Sequence, residues 1–398
     1  VAKYTVARVC EKLVAVRSGL AQGHTAPQAC KAAGLSTSTY KKWLDTWKDL
    51  DLPDWVAASA EHGVVALSGD GRCLFTADPS PDGYVLRCCD AATGTEIATA
   101  THAVGGDRNV WHAVIVASAD DTGDRLRFVV NSGAMFTWEL ANSGVTACAH
   151  DLQRGCVQLG GRAGSGPRRW ASAAFSPDLA LVAFWETFGD NAAAEPARLC
   201  VRRVDDGSVV MRHETGPLFI ASEVVFHPTR AWLAVLDQNK LLTVLDLDAR
   251  QPLLADGPQV HHVSFGPADT LLYDDWYGRT QELDLTTHRS RVLCEQWGGI
   301  ASQGDRYVTV SEKAVDVRSA SADGVQRHIH LDGITECLLS RDGARLVVVG
   351  DRLCVWNLDQ PAAGIGLTPG ASKRKPAPDD TTADTDNKGR RRTAATGR

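Results

Sequence analysis

Ala173-Ala-Phe-Ser-Pro-Asp178 is the end of an apolar strand running into a Ser-Pro-Asp turn, and variants of it recur along the chain. Upstream stand Val65-Ala-Leu-Ser68-Gly-Asp-Gly71 and Val114-Ile-Val-Ala-Ser118-Ala-Asp-Asp121. Downstream follow Val224-Val-Phe-His227-Pro-Thr229, Val263-Ser-Phe-Gly266-Pro-Ala268, Ile300-Ala-Ser302-Gln-Gly-Asp305 and Leu338-Leu-Ser340-Arg-Asp-Gly343. Seven copies separated by 50, 58, 51, 39, 36 and 38 residues have the period of a propeller blade. Between them a further strand recurs: Tyr84–Asp90, Phe136–Leu140, Leu199–Val204, Leu242–Leu247, Thr280–Leu285, Ala314–Arg318 and Leu353–Leu358. Short apolar or alternating strands punctuated by Ser, Pro, Asp and Gly fit nested four-stranded sheets.

These copies resemble degenerate WD40-type repeats over about 300 residues. The resemblance implies a protein-interaction scaffold. Two departures stand out: the Gly-His dipeptide is mostly missing, and only Val355-Trp-Asn-Leu358 approaches the terminal Trp-Asp. Little chain after Leu358 is left to supply a last outer strand, so Trp55-Val-Ala-Ala-Ser-Ala60 is expected to close the ring.

Ahead of the repeats lies a different pattern. Val6, Val9, Cys10, Leu13, Val14 and Val16 form a helical stripe over residues 6–19. Thr25-Ala-Pro-Gln28 has the form of a capping box with proline in the first turn, and Gly34 suits the end of that second helix. Ser36 or Ser38 then caps a third helix, from Thr37 to about Trp47, with Tyr40, Trp43, Leu44 and Trp47 on one face. The run Ala29-CKAAGLSTSTYKKW-Leu44 resembles the helix-turn-helix of insertion-sequence transposases and related homeodomain-like modules.

That resemblance implies DNA as a partner. Ser36, Thr37, Ser38 and Thr39 would face base edges or phosphates, Lys41 and Lys42 would point at the duplex, and Arg17, Lys31 and Lys48 would flank them. Short hydroxyl side chains discriminate bases poorly, and no Arg, Asn or Gln stands there for bidentate readout. A module of three helices can equally dock a protein, with Lys41 and Lys42 a solvated face.

Charge divides the chain in the same places. Of a formal net charge of −6, residues 1–48 carry +6 and residues 361–398 carry +4, which leaves the body at −16. Asp49–Asp54 reads as an acidic linker. Beyond Gln360 the chain is Pro, Ala, Gly, Thr, Asp and Lys/Arg, a composition expected to be disordered. Lys373, Arg374 and Lys375, then Lys388, Arg390, Arg391 and Arg392, have the spacing of a bipartite nuclear-import signal. They also suit an electrostatic arm for nucleic acid, or a solvated tail.

Chemistry is hard to find. Gly161 and Gly166 have P-loop spacing, but Pro167 stands where lysine is required. Neither Gly-x-Ser-x-Gly nor His-Glu-x-x-His occurs. His261-His262 and His328-Ile-His330 read as packing or surface residues of strands, and Asp274-Asp275 as diverging carboxylates. Eleven cysteines, with no Cys-x-x-Cys, read as reduced thiols packed as small hydrophobes in an intracellular, reducing compartment. Of the eleven tryptophans, Trp111, Trp170, Trp185, Trp232, Trp276 and Trp297 fall in or beside repeats. Most are expected in the core between blades, with one or two on the rim as peptide anchors. No apolar run is long enough to span a membrane and no secretory leader is recognisable.

The expected fold class is therefore mainly β. Residues 55–360 form a seven-bladed WD40-like β-propeller, 1–48 a small all-α helix-turn-helix domain, 49–54 a linker and 361–398 a disordered basic tail. The expected function is a non-enzymatic adaptor that binds DNA through its helices and a protein or peptide on the propeller face, with no cofactor and no metal. The alternative is a scaffold for proteins alone.

Overall fold

The computed structural model describes residues 4–58, 64–80, 83–103, 114–130, 133–150, 152, 173–186, 198–214, 223–295 and 299–362, apart from positions 143, 238, 256, 268, 304, 312 and 323. The repeats form seven four-stranded antiparallel sheets, and in six of them each strand pairs with the next in sequence. The first strand of each blade neighbours the first strands of the blades on either side. Val64–Leu67 meets both Val114–Ala119 and Glu336–Leu339, so the ring is closed. The closing strand is the one expected. Trp55–Ala58 lies outermost on the seventh blade, antiparallel to Arg352–Asn357, with Trp55 opposite Val355 and Ala58 opposite Arg352. The chain thus has no open end to its ring.

The Ser-x-Asp turns owe their recurrence to one hydrogen-bond scheme. Ser68, Ser176 and Ser340 each donate Oγ–H to the aspartate two residues on, at 2.7, 2.5 and 2.5 Å. Each accepts the backbone N–H five residues on, from Cys73, Leu181 and Arg345. The aspartate accepts a further N–H of the turn, from Arg72, Ala180 or Ala344. Side-chain oxygens thereby satisfy donors that the tight turn leaves without a strand partner. In the fourth blade His227 takes over the role, its Nδ1 accepting from Thr229 N and Arg230 N at 3.1 and 3.0 Å.

The core is divided into seams between blades. Leu126, Phe128 and Trp138 pack with Phe75 and Leu86 between the first and second blades, and Trp185 lies buried between the third and fourth. Between the sixth and seventh lie Val308, Val315, Val317, Ile329, Leu346, Cys354 and Trp356. The seam between the fifth and sixth is different. Thr280, Glu282, Thr309, Asp316 and Arg318 are all buried, and Tyr307 lies within electrostatic reach of Cys294, Arg318, Arg291 and Glu282. Burial drives the Tyr307 phenol up to about 12.

Three helices precede the ring: α1 (Val6–Ala21), α2 (Ala26–Ala32) and α3 (Thr37–Thr46). Their boundaries follow the sequence signals. Gln28 Oε1 accepts Thr25 N–H at 2.9 Å, and Ser36 Oγ accepts Thr39 N–H at 3.0 Å. Gly34 takes a positive φ of 66°, with Leu35 N–H closing back on Cys30 O. Val9, Leu13, Val16, Ala29, Cys30, Tyr40 and Trp43 make the common core, which Leu50 and Leu52 complete.

The helices are fastened to the ring. Asp49–Asp54 is largely buried rather than a solvated spacer, because Leu50 and Leu52 enter the helical core while Asp51 pairs with Arg327 of the sixth blade. The Arg327 Nη2 to Asp51 Oδ1 distance is 2.8 Å, and both side chains are at least nine-tenths buried. Glu11 of α1 accepts from Arg352 Nε at 3.0 Å, and Ala7 enters the core between the sixth and seventh blades. Burial, with Asp51 adding to it, pushes the Cys10 thiol up to about 12, so it packs there as a neutral hydrophobe.

Candidate functional site

The surface of α3 is the site singled out by sequence. Ser36, Ser38, Lys41 and Lys42 are exposed, as are Lys31 on α2 and Lys48 beyond α3, while Thr37 and Thr39 are half-buried. Tyr40 and Trp43 turn inward on the core, and their spacing sends Lys41 and Lys42 outward. The hydroxyls are already engaged. Ser36 Oγ, besides capping the helix, lies 2.9 Å from Ser38 Oγ and 2.8 Å from Thr39 Oγ1. Exposed Asp45 and Asp49 stand among the lysines.

Arg17 departs from the expected set. Its Nη2 donates to the carbonyls of Pro53 and Asp54, at 2.6 and 2.9 Å. Burial lowers the guanidinium below its ordinary value, against the pull of Asp54 and Asp51. The side chain is half-buried against the linker, where it satisfies two carbonyl oxygens instead of flanking a phosphate. The tail residues Lys373, Arg374, Lys375, Lys388, Arg390, Arg391 and Arg392 lie outside the described residues, as do Gly161, Gly166, Pro167, Trp111, Trp170 and Trp297.

No protein-family model and no curated protein matches the chain.

A second surface emerges at the opposite kind of place, a turn of the fifth blade between Thr270–Asp274 and Thr280–Asp284. Trp276 and Tyr277 are 56% and 84% exposed, the two most exposed large apolar side chains among the described residues. Trp276 is thus a rim tryptophan, unlike Trp185, which is buried. Asp275 holds the turn. Its Oδ1 accepts from Tyr277 N and Arg279 N, at 2.8 and 3.0 Å. Its Oδ2 accepts from Arg279 Nε and Nη2, at 2.9 and 2.6 Å, and from Gln281 Nε2. Burial alone would raise this carboxyl, but the donors of Arg279, Gln281 and Tyr277 together hold it below the usual carboxylate range.

The rings are braced as well. The Arg279 guanidinium lies 5.0 Å from the Tyr277 ring centroid, and His261 meets Trp276 edge-on at 4.1 Å. His261 and His262 lie just before the strand Val263–Phe265 rather than in it, and exchange backbone hydrogen bonds with Asp274. Asp274 is buried and accepts from Thr280 Oγ1 at 3.1 Å, so the two neighbouring carboxylates do diverge. A signal for this turn was present: Asp275-Trp-Tyr-Gly278 has turn residues at its ends, which puts the aromatic pair at the tip.

His328 and His330 do share a strand face, their ring centroids 6.4 Å apart, and His328 Nδ1 meets Asp316 Oδ1 at 2.5 Å. Among the described residues, no group of three His, Cys, Asp or Glu stands where it would hold a metal ion. No helix among them is long and apolar enough to cross a membrane.

Proposed function

We propose that this chain is a non-enzymatic adaptor in which α3 engages DNA through phosphate contacts while the acidic propeller docks a protein. The observation that carries the reading is the outward presentation of Lys41, Lys42, Lys31 and Lys48 on one small helical head. Its attachment through Asp51 and Arg327 couples any load on the head to the ring. With Arg17 turned inward, few phosphates are contacted, and binding is correspondingly weak and salt-dependent.

A mobility-shift titration of duplex DNA at two salt concentrations tests this. For about four phosphate contacts, affinity falls roughly a hundredfold between about 50 and 200 mM salt. Lys41→Glu/Lys42→Glu abolishes the shift at low salt, and a double variant that still shifts DNA removes the role of α3. A second reading, a scaffold for proteins alone, is favoured by Asp45 and Asp49 standing among the lysines. It predicts no shift for the parent chain either.

A further inference from the structure

We propose that the Trp276–Tyr277 turn of the fifth blade is the anchor at which the propeller takes a cationic peptide, an extended segment bearing arginine or lysine. This rests on the scaffold reading of the propeller and adds to it a place and a chemistry. A large aromatic pair left in water carries a standing free-energy cost that a partner removes, and aromatic anchors dominate interface hot spots. Rigidity adds to this. Five hydrogen bonds onto the Asp275 carboxylate fix the turn before a partner arrives, so little ordering cost remains at binding.

The occupant follows from charge. Residues 49–360 carry a net −16, which draws a cationic segment in over several ångströms and repels acidic peptides and nucleic acid. Near the turn, Glu223 meets His262 Nδ1 at 3.4 Å, and Glu295 lies within electrostatic reach of Arg279. At contact, Tyr277 already receives one guanidinium, that of Arg279, whose own charge is matched by Asp275. At 84% exposure most of the Tyr277 side chain remains open to a guanidinium or ammonium brought by a partner, and Trp276 offers the stronger ring for the same contact.

The test is fluorescence anisotropy on the full chain, with a short labelled peptide alternating arginine with glycine. A glutamine-for-arginine version, an acidic version and a single-stranded oligonucleotide serve as comparisons. The arginine peptide binds, more tightly at low salt, and Trp276→Ala/Tyr277→Ala weakens it about tenfold or more. Trp276→Phe and Tyr277→Phe retain most of the affinity because a ring remains, and Lys41→Glu/Lys42→Glu retains all of it. Unchanged circular dichroism shows that the exposed substitutions leave the fold intact. Unweakened binding in the double alanine variant overturns the site while leaving a scaffold elsewhere on the ring. Equal binding of the glutamine peptide overturns the chemistry, and oligonucleotide binding that survives Lys41→Glu/Lys42→Glu but is lost in Trp276→Ala/Tyr277→Ala assigns the turn to nucleic acid instead. A dimer in sedimentation that the double variant abolishes overturns the proposal in favour of a second copy of this chain. If no peptide binds the parent chain, the proposal is overturned, while docking of a folded protein on the ring is not.

Discussion

The sixth blade presents two unlike faces to its neighbours. Toward the seventh it offers Val308, Val315, Val317 and Ile329, which meet Leu346, Cys354 and Trp356, and the Trp356 indole N–H donates to Asp51 O at 3.4 Å. Toward the fifth it offers Tyr307, Thr309, Asp316 and Arg318, against Glu282 and Arg291. Strand alternation makes both possible in one sheet, since successive side chains point to opposite faces. The apolar seam gains free energy in proportion to the area it removes from water. The polar seam gains little net, because each charge it shelters is first taken out of water. What the polar seam supplies is direction: Arg291 pairs with Glu282 on its own blade and donates to Ala320 O of the next at 3.1 Å.

The largest expected effect lies on the apolar side. Leu346 is fully buried, and Leu346→Ala lowers unfolding stability by about 3 kcal/mol through lost transfer energy and a cavity. Urea denaturation measures it, and a loss below about 1 kcal/mol would mean that the seam collapses around the gap or does not carry the ring.

Glu282→Ala is a milder change, costing about 1 kcal/mol or less. The Arg291 side chain it strands is 61% exposed, so water takes over the guanidinium. If Glu282→Ala matched or exceeded Leu346→Ala, the contrast between the two faces would be wrong.

The smallest effect separates the seams by pH alone. Tyr307 holds its proton to about 12 in the fold, above its ordinary value near 10. Between those values the unfolded chain has already lost a proton that the folded chain keeps. Stability therefore declines as pH rises through that window. Tyr307→Phe shallows the decline in thermal unfolding between about pH 10 and 12, whereas Leu346→Ala leaves its slope as in the parent. A Tyr307→Phe profile parallel to that of the parent would show that burial of the phenol does not govern the seam.

Much of this architecture was legible before any coordinates. The Ser-x-Asp turns of the first, third and seventh blades announce themselves because the same oxygens satisfy the same N–H groups in each. The closing strand was legible because a ring of sheets cannot end on a bare edge. Thr25, Gly34 and Ser36 mark helix ends through local hydrogen bonds that need no tertiary knowledge.

The polar seam was not legible. Asp316 and Arg318 alternate with Val315 and Val317 just as a half-solvated strand would, Thr280-Gln-Glu282 reads as a polar strand end, and only the neighbouring blade converts those patterns into burial. The fastening of the head was hidden for a similar reason: Asp51 and Arg327 are far apart in sequence, and each alone reads as a surface charge. Arg17 looked like a free cation because its acceptors are backbone carbonyls, which carry no sequence signature. Trp276 was one of six tryptophans of which one or two were expected on the rim, and composition does not say which. Its place in a turn, two residues before Gly278, was the clue that outweighs composition.

The strand Trp55–Ala58 sets an order of events at the ribosome. It emerges early, yet its hydrogen-bonding mate Arg352–Asn357 is synthesised about 300 residues later, a wait on the order of 15–60 s at ordinary translation speeds. Until then the nascent chain holds six blades' worth of sequence with an unlatched clasp, and Glu11 of the helical head still lacks its ring partner Arg352. A circular permutant opened between two other blades would bring clasp and catch out together, and would exchange that wait for a cut elsewhere in the ring.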